Sequence, residues 1–264
     1  YLKPMGEPSQ IEVLKFNPFD FSSLNEFIKN SEIVINCIGV LYEKKNQKFD
    51  HAHHLFPKFL TSILDKEVTK KFIHISALGA DKNSNSLYIK SKFQGEEAVI
   101  NNFKNSSIVR PSIVFGTNDN FFNLFNKLIN LLPVIPLAGA KTKFQPCYVG
   151  DVTDAIIKII EQINPNKVYE LGGPKIYTFK ELIETLLMSL KKKRFIIELP
   201  DFVARVQAKI MQLLPNPLLT EDQLEILKSD NICSNQYPGF KELGISTRTV
   251  ETVLPNYIFS QVIR

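Results

Sequence analysis

The chain has 264 residues, 44% of them apolar and 22% charged, which is a globular composition with enough apolar residues for a sizeable core. The net charge of +5 is mild, and apart from the run at 191–194 the basic residues are scattered, which argues against a nucleic-acid-binding protein. Three widely separated cysteines form neither a metal-ligand spacing nor a disulfide framework, which indicates a reducing compartment, and no apolar run reaches membrane-spanning length.

Apolar strand-like segments alternate with helical ones from residue 11 to residue 190. We predict strands over 11–16, 33–38, 71–78, 107–114, 145–149 and 168–171. We predict helices over 22–28, 49–66, 87–103, 121–132, 151–163, 178–190, 202–214 and 219–229. Ser22 or Ser23, Asp151 and Thr178 are the predicted caps of three of these helices, with Glu181 completing a capping box, and 133–139 is predicted to be an irregular loop.

The alternation predicts an α/β fold with a Rossmann-like, doubly wound parallel sheet. Residues 1–163 would form a Rossmann-like domain. Residues 164–264 would form a small, mostly helical cap that contributes one further strand to the sheet. Ligands of such sheets bind beyond the carboxyl ends of the strands, so the loops after Phe16, Ile38, Ser76 and Val114 should share one rim.

Tyr88 and Lys92 stand four residues apart on the helix that follows the third of these loops, so both side chains lie on one helix face. A lysine ammonium next to a phenol can lower the pKa of the phenol and make an acid–base pair. The alternative is a half-buried tyrosine beside a solvated lysine, and the spacing alone leaves both open.

The three histidines at 51, 53 and 54 lie on the preceding predicted helix. They lack the i, i+4 spacing of helical metal ligands and have no acidic or cysteine partners nearby, so packing at the helix edge is favoured over metal binding.

Several segments taken in order resemble the extended branch of the short-chain dehydrogenase/reductase superfamily. They are the Tyr88–Lys92 pair after FIHISA, VRPSIVFG at 109–116, QPCYVGDVTDAI at 145–156 and YELGGPKIYTFKELIETL at 169–186. LKPMGE at 2–7, VINCIG at 34–39, LTEDQLEILKSDN at 219–231 and LGI at 243–245 are more closely similar to the NADPH-binding accessory subunits of respiratory complex I.

This resemblance implies a bound NADPH, with NADP or NAD as alternatives. Tyr88 would be the proton donor or acceptor, and Lys92 would bind the nicotinamide ribose and lower the pKa of the phenol. Ser76 would be a vestigial catalytic hydroxyl or would position the cofactor. The remaining cofactor-binding residues implied by position are Asn17, Pro18, Cys37, Ile38 and Gly39 on the adenine and phosphate side, and Pro111 and Ile113 beside the nicotinamide.

Two departures from the superfamily pattern bear on activity. The usual position of the catalytic hydroxyl falls on Ala77, which argues against turnover and for a cofactor with a structural role. No glycine-rich G-x-x-G-x-x-G turn occurs, so we expect either that the chain is an N-terminally truncated part of a longer protein or that it folds poorly and binds dinucleotide weakly or not at all.

The predicted helix at 202–214 is amphipathic, with basic residues flanking an apolar face. It either packs on the sheet domain or contacts a partner or a membrane surface. The resemblance favours contact with a partner or a membrane surface, because the complex I subunit lies near the membrane junction.

The leading hypothesis is a non-catalytic, NADPH-binding accessory subunit or assembly factor of respiratory NADH:quinone oxidoreductase. Its partners would be the peripheral-arm subunits, at the cytoplasmic face of a bacterial inner membrane or the matrix side of the mitochondrial one. The alternatives are an NAD(P)-dependent reductase, epimerase or dehydratase of the extended type, and a remnant with neither function.

Overall fold

The computed structural model describes residues 7, 10–16, 24, 28–45, 47–163, 168–212, 214 and 217–259. Within them, the strands are β1 (Ile33–Asn36), β2 (Lys71–Ile75), β3 (Ser106–Pro111), β4 (Val114–Phe115), β5 (Val134–Leu137), β6 (Lys143–Phe144), β7 (Cys147–Tyr148), β8 (Val168–Leu171), β9 (Tyr177–Thr178) and β10 (Phe195–Glu198). A π-helical segment, Asp50–Leu55, runs directly into α1. The α-helices are α1 (Phe56–Ile63), α2 (Leu87–Asn102), α3 (Phe122–Leu131), α4 (Val149–Glu161), α5 (Phe179–Ser189), α6 (Asp201–Met211), α7 (Glu221–Ile226) and α8 (Val250–Tyr257).

A four-stranded parallel sheet is the centre of the described fold, with strand order β1-β2-β3-β8. Phe72 pairs with Val34 on one side and with Ser106 on the other, and Ile108 pairs with Val168. All four carboxyl ends therefore face the same rim. The predicted α/β fold with a Rossmann-like parallel sheet is confirmed.

Alternating side chains of β2 and β3 serve two cores, one on each face of the sheet. Phe72 and Ile108 pack with α1 and α2, and Ile73 and Val109 pack with α4. A third core, which we call the lobe core, lies between α3, α5, α8 and β5. The sheet is thus covered on both faces, as parallel sheets require.

The loop 233–239 runs beside β8. The backbone N–H of Glu170 donates to the carbonyl of Pro238 at 3.0 Å, and the N–H and hydroxyl of Ser234 donate to the Glu170 carboxylate at 2.6 and 2.8 Å. Arg110 of β3 lies 3.7 Å from the same carboxylate and makes a bidentate ion pair with Glu96 of α2, at 2.8 and 2.6 Å. These buried charges join the C-terminal loop to the sheet and to α2.

Several sequence-based expectations are wrong in their detail. Residues 11–16 are not a strand, although they alternate in hydrophobicity. The expected irregular loop at 133–139 contains β5, which pairs in parallel with β10. The predicted helix over 49–66 begins as a π-helix and ends at Ile63. Ser22 and Ser23, the alternative caps of the first helix, lie outside the described residues.

The caps of α4 and α5 differ in outcome. Asp151 does not cap α4, because the N-cap is Tyr148, and Asp151 accepts a hydrogen bond from the backbone N–H of Arg248 at 2.7 Å. The capping box of Thr178 and Glu181 at the start of α5 is confirmed, since each side chain binds the other residue's backbone N–H. The local S/T-x-x-E pattern was sufficient for α5, whereas the role of Asp151 depends on a residue 97 positions away.

Candidate functional site

Tyr88 and Lys92 lie on α2, which begins just beyond the carboxyl-terminal rim of the sheet. Ser86 is the N-cap of α2, and its hydroxyl accepts from the N–H of Ile89 at 3.2 Å. The helix then runs back beside β2, which brings Lys92 beneath the rim. A local cap and a four-residue spacing are therefore enough to place both side chains at the predicted rim.

Lys92 is 5% exposed, and its ammonium is the cation at the centre of the candidate site. It donates to the carbonyl of Ile75 at 3.2 Å. A Cβ added to Gly39, in the loop after β1, would lie 3.1 Å from the Lys92 Nζ. Burial lowers the pKa of Lys92 to about 8, against the opposing influence of Glu96 and Cys37. Lys92 is thus an ammonium at neutral pH that is neutralised in mild alkali.

Tyr88 is half-buried, with its ring centroid 5.9 Å from the Lys92 Nζ. Burial of the phenol and, to a smaller extent, the carboxylate of Asp222 together raise the pKa of Tyr88 to about 12. The expectation that the ammonium lowers this pKa is wrong, because the loss of hydration and the nearby carboxylate outweigh it. The phenol therefore stays protonated at neutral pH.

Asp222, at the start of α7, binds the first turn of α2 from the C-terminal part of the chain. Its carboxylate accepts from the hydroxyl of Ser86 at 2.8 Å and from the N–H groups of Leu87 and Tyr88 at 2.6 and 3.2 Å. A carboxylate at a helix N-terminus is stabilised by the helix dipole and by unpaired N–H groups. The position of Tyr88 is thereby coupled to the docking of α7.

Two buried histidines, His53 and His74, lie beside Lys92, and sequence reasoning placed neither of them at the candidate site. The Nε2 of His53 accepts from the N–H of Val40 at 3.0 Å, and the Nδ1 of His74 lies 3.1 Å from the Nδ2 of Asn36. Burial, followed by the nearby Lys92 ammonium, lowers the pKa of His53 to about 2 and that of His74 to about 3. Both imidazoles are therefore neutral, and the expected packing at the helix edge is wrong for His53, which is fully buried. Among the described residues, no group of His, Cys, Asp and Glu could hold a metal ion.

The other residues predicted to contact the cofactor lie in several loops of the structure. Cys37 and Ile38 lie in the loop after β1, where partial burial raises the pKa of the Cys37 thiol against the influence of Lys92. Ser76 is 4% exposed, and its hydroxyl has no hydrogen-bond partner among the described residues.

Pro111 and Ile113 follow β3. Pro111 is the last residue of that strand, and its carbonyl accepts from the N–H of Leu78, beside the loop that contains Ser76. Ile113 packs against the lobe core. Asn17 and Pro18 lie outside the described residues.

A cavity of about 300 Å³ opens next to the start of α2. It lies between the loop 78–86 and residues 225–231, and it is lined by Leu78, Gly79, Asp81, Asn83, Ser84, Asn85, Ser86, Ile89, Glu225, Ile226, Lys228, Ser229, Asp230 and Asn231. Asn231 joins the two walls, because it donates to the carbonyl of Leu78 at 3.4 Å. The volume is that of a small-molecule site.

Comparisons with known proteins identify the family to which the sequence is similar. The family model of the RmlD substrate binding domain matches residues 79–217. The chain is 33% identical over 260 residues to the Arabidopsis thaliana mitochondrial NADH dehydrogenase (ubiquinone) 1 alpha subcomplex subunit 9, covering 93% of this chain and 64% of the relative. It is 30% identical over 258 residues to the protein of that name from Dictyostelium discoideum, covering 96% of this chain and 72% of the relative. The chain thus spans about two thirds of the length of these relatives, and the resemblance found in its motifs is confirmed.

Among solved structures, the NADPH-dependent quinone oxidoreductase QOR2 of Escherichia coli, complexed with NADPH, is similar with a TM-score of 0.70. The match covers 93% of this chain and 82% of that one at 16% identity, and it shows that the two proteins share a fold. No helix in the described ranges has the length and apolar character needed to cross a membrane.

Proposed function

Since the chain belongs to the family of NADH dehydrogenase (ubiquinone) 1 alpha subcomplex subunit 9, we propose that it is an NAD(P)-binding accessory subunit of respiratory NADH:quinone oxidoreductase. The observation that carries the proposal is the match to these relatives over 93–96% of the chain. It would assemble with peripheral-arm subunits, as a stable subunit or as an assembly factor. The mitochondrial names of the relatives support a mitochondrial location. Within it, we propose the matrix side of the inner membrane.

The chemistry of the rim fits a pyridine dinucleotide, and NADPH is the form we propose. Gly39 leaves room beside the Lys92 ammonium that any side chain would fill, and the buried hydroxyl of Ser76 has no partner in the described residues. Lys92 would bind a ribose hydroxyl, and the loop 37–39 and Pro111 would border the cofactor. Hydride transfer is the chemistry that such a cofactor supplies when bound.

We infer that the cofactor has a structural role in this chain. Ala77 stands where related enzymes would have a catalytic hydroxyl, so a substrate carbonyl would lack that partner in the transition state. The Tyr88 phenol, with its pKa near 12, retains its proton. Because Asp222 links the first turn of α2 to α7, cofactor binding beside Lys92 would stabilise the docking of the C-terminal region on the sheet domain.

The C-terminal region has exposed apolar side chains close to a run of basic residues. On α6, Phe202 is 77% exposed and Ile210 is 64% exposed, and Phe195 of β10 is 79% exposed. The basic run at 191–194 precedes these residues, and basic residues near an apolar surface favour anionic bilayers. We propose that this surface contacts anionic lipid.

Vesicle binding tests this part of the proposal. The double variant Phe202→Asp/Ile210→Asp should lose sedimentation with anionic vesicles, whereas Ile163→Asp, at a 94% exposed position elsewhere in the chain, should sediment like the wild type. Equal sedimentation of all three proteins would contradict a lipid contact at α6.

A second candidate function is a reductase, epimerase or dehydratase of the extended type. The observation in its favour is the cavity of about 300 Å³ beside the start of the helix that holds Tyr88 and Lys92. Oxidation of NADPH by a screened carbonyl substrate that is lost in Tyr88→Phe would establish the enzyme and refute the purely structural role.

The decisive experiment is purification of the tagged protein from gently solubilised native membranes. Co-purification of peripheral-arm subunits of the quinone oxidoreductase, with NADP(H) released on denaturation, is the expected result. Lys92→Met should reduce the NADP(H) content, whereas Lys90→Met, at an exposed position on the same helix, should not. A soluble monomer without these subunits would refute the assignment.

A further inference from the structure

His53 lies in the π-helical segment and is fully buried. Its ring stacks on Phe49, with centroids 5.5 Å apart, and meets Tyr88 edge to face at 5.2 Å. π-helical turns inside helices occur frequently at functional sites. This one places an imidazole between the loop after β1 and the face of α2 that presents Tyr88 and Lys92.

The hydrogen bonds of His53 fix its tautomer. The backbone N–H of Val40 can only donate, so the Nε2 of His53, at 3.0 Å, is an acceptor without a proton. The Nδ1 then carries the proton and donates to the hydroxyl of Ser91 at 2.8 Å. The Ser91 hydroxyl donates in turn to the carbonyl of Tyr88 at 2.8 Å. We call this chain of three hydrogen bonds, from Val40 through His53 and Ser91 to Tyr88, the His53 brace.

The brace acts at the point where the loop after β1 is nearest to Lys92. A Cβ on Gly39, the residue before Val40, would lie 3.1 Å from the Lys92 Nζ and 3.6 Å from the His53 Nε2. The π-helical backbone is also pressed against α2, because a Cβ on Gly95 would lie 1.9 Å from the His53 carbonyl oxygen. Movement of His53 would therefore change the separation between the Gly39 backbone and the Lys92 ammonium.

We propose that His53 is a positioning residue for the dinucleotide site, which holds the loop 38–40 at a fixed distance from Lys92 through its bond to the Val40 N–H. The proposal rests on the proposed function, since the ligand is the pyridine dinucleotide inferred above. A residue that only packs in the core would contribute through the volume of its ring. A positioning residue also requires the hydrogen-bond acceptor at Nε2, because that atom holds the loop.

Two substitutions separate the acceptor from the volume. In His53→Gln, the side-chain oxygen can take the place of Nε2 and accept from Val40, whereas in His53→Asn the amide nitrogen can take the place of Nδ1, and the Val40 N–H loses its acceptor. Both variants lose ring volume and stacking. His54→Gln is the control, because His54 is the neighbouring residue and pairs with Asp50 at the surface.

The readouts are NADPH affinity of the protein purified from its native membranes, and deuterium exchange at the Val40 amide. We expect His53→Gln and His54→Gln to bind NADPH nearly as the wild type does, and His53→Asn to bind about tenfold more weakly or worse, with fast exchange at Val40. The proposal would be overturned if His53→Gln and His53→Asn lost NADPH affinity equally, in proportion to their loss of thermal stability.

If the wild-type protein binds no NADPH, the cofactor part of the proposed function fails, and amide exchange still decides on the brace. Protection at Val40 that persists in His53→Gln and disappears in His53→Asn supports the positioning role of His53 on the loop. Equal protection in both variants refutes it.

Discussion

Gly95 occupies the place where α2 and the π-helical segment are closest, and its substitution by alanine tests that packing. Alanine is a better helix former than glycine by about 1 kcal/mol, so helix propensity alone predicts a gain in stability. In the structure, however, the added Cβ would lie 1.9 Å from the His53 carbonyl oxygen. The two backbones would have to separate by about 1 Å or more, and overpacking of this kind costs about 1–3 kcal/mol, occasionally more.

Because the contact is with a backbone atom, we take the upper end of that cost, about 3 kcal/mol, and subtract the propensity gain of about 1 kcal/mol. We therefore expect Gly95→Ala to lower the free energy of unfolding by about 2 kcal/mol, measured by urea denaturation, with an unchanged m-value. Glu97→Ala, at an exposed position of the same helix, is the control and should change stability by less than about 0.5 kcal/mol. An increase in stability of about 1 kcal/mol in Gly95→Ala would follow helix propensity and would refute the close packing.

Three further predictions concern single features of the described fold. Because the pKa of Lys92 is about 8 in the folded protein and 10.5 ordinarily, the unfolded chain binds more protons between these values. The free energy of unfolding should therefore rise by about 3 kcal/mol through this residue as pH rises from about 8 to 10.5. Denaturation of the wild type and of Lys92→Met across this pH range measures the contribution. Equal pH dependence of the two proteins would refute it. Thr178→Ala should lower the free energy of unfolding by about 1 kcal/mol through loss of the capping box, whereas Thr178→Ser, which keeps the hydroxyl, should lower it much less. A decrease below about 0.2 kcal/mol in Thr178→Ala would show that the cap is dispensable. Arg110→Met should lower the free energy of unfolding by about 3–5 kcal/mol, because Glu96 stays buried without its partner. In chemical denaturation, the double variant Arg110→Met/Glu96→Leu should be more stable than Arg110→Met. Equal stability of the two variants would show that the ion pair contributes favourably as a whole.

The features that could be predicted from the sequence are those encoded by neighbouring residues. β8 was predicted at its observed bounds because two glycines and a proline follow it directly, and the cap of α5 was predicted from a four-residue pattern. The shared helix face of Tyr88 and Lys92 also follows from spacing alone. Each of these depends on fewer than about ten consecutive residues.

β5 was missed because its partner is β10, which is far along the chain, and because Pro136 within it argues against a strand. Residues 11–16 alternate in hydrophobicity as a strand would. Such alternation shows which side chains would share a face, but it does not provide a neighbouring strand with which to pair. Pairing between distant segments leaves no local signal.

The candidate site was predicted in part for the same reason. His53 is brought to Tyr88 and Ser91 by a π-helix, whose hydrogen-bond spacing changes the phase of the helix by one residue and is invisible to a 3.6-residue periodicity. Asp222 reaches Tyr88 from 134 residues away. The segment Thr220–Gln223 forms a capping box at the start of α7, but the bonds that Asp222 makes to α2 depend on the tertiary fold.

The loop that runs beside β8 has a consequence for solubility. A terminal strand of a sheet presents unpaired N–H and carbonyl groups to which another molecule can add a strand. Here the Glu170 N–H is bound by Pro238, and a Cβ on Gly239 would lie 2.7 Å from the Glu170 carbonyl oxygen, so the loop covers that edge closely. Release of this loop, whether by proteolysis or by loss of the Ser234–Glu170 bonds, would expose β8 to edge-to-edge association, and the C-terminal segment therefore also protects the molecule against aggregation.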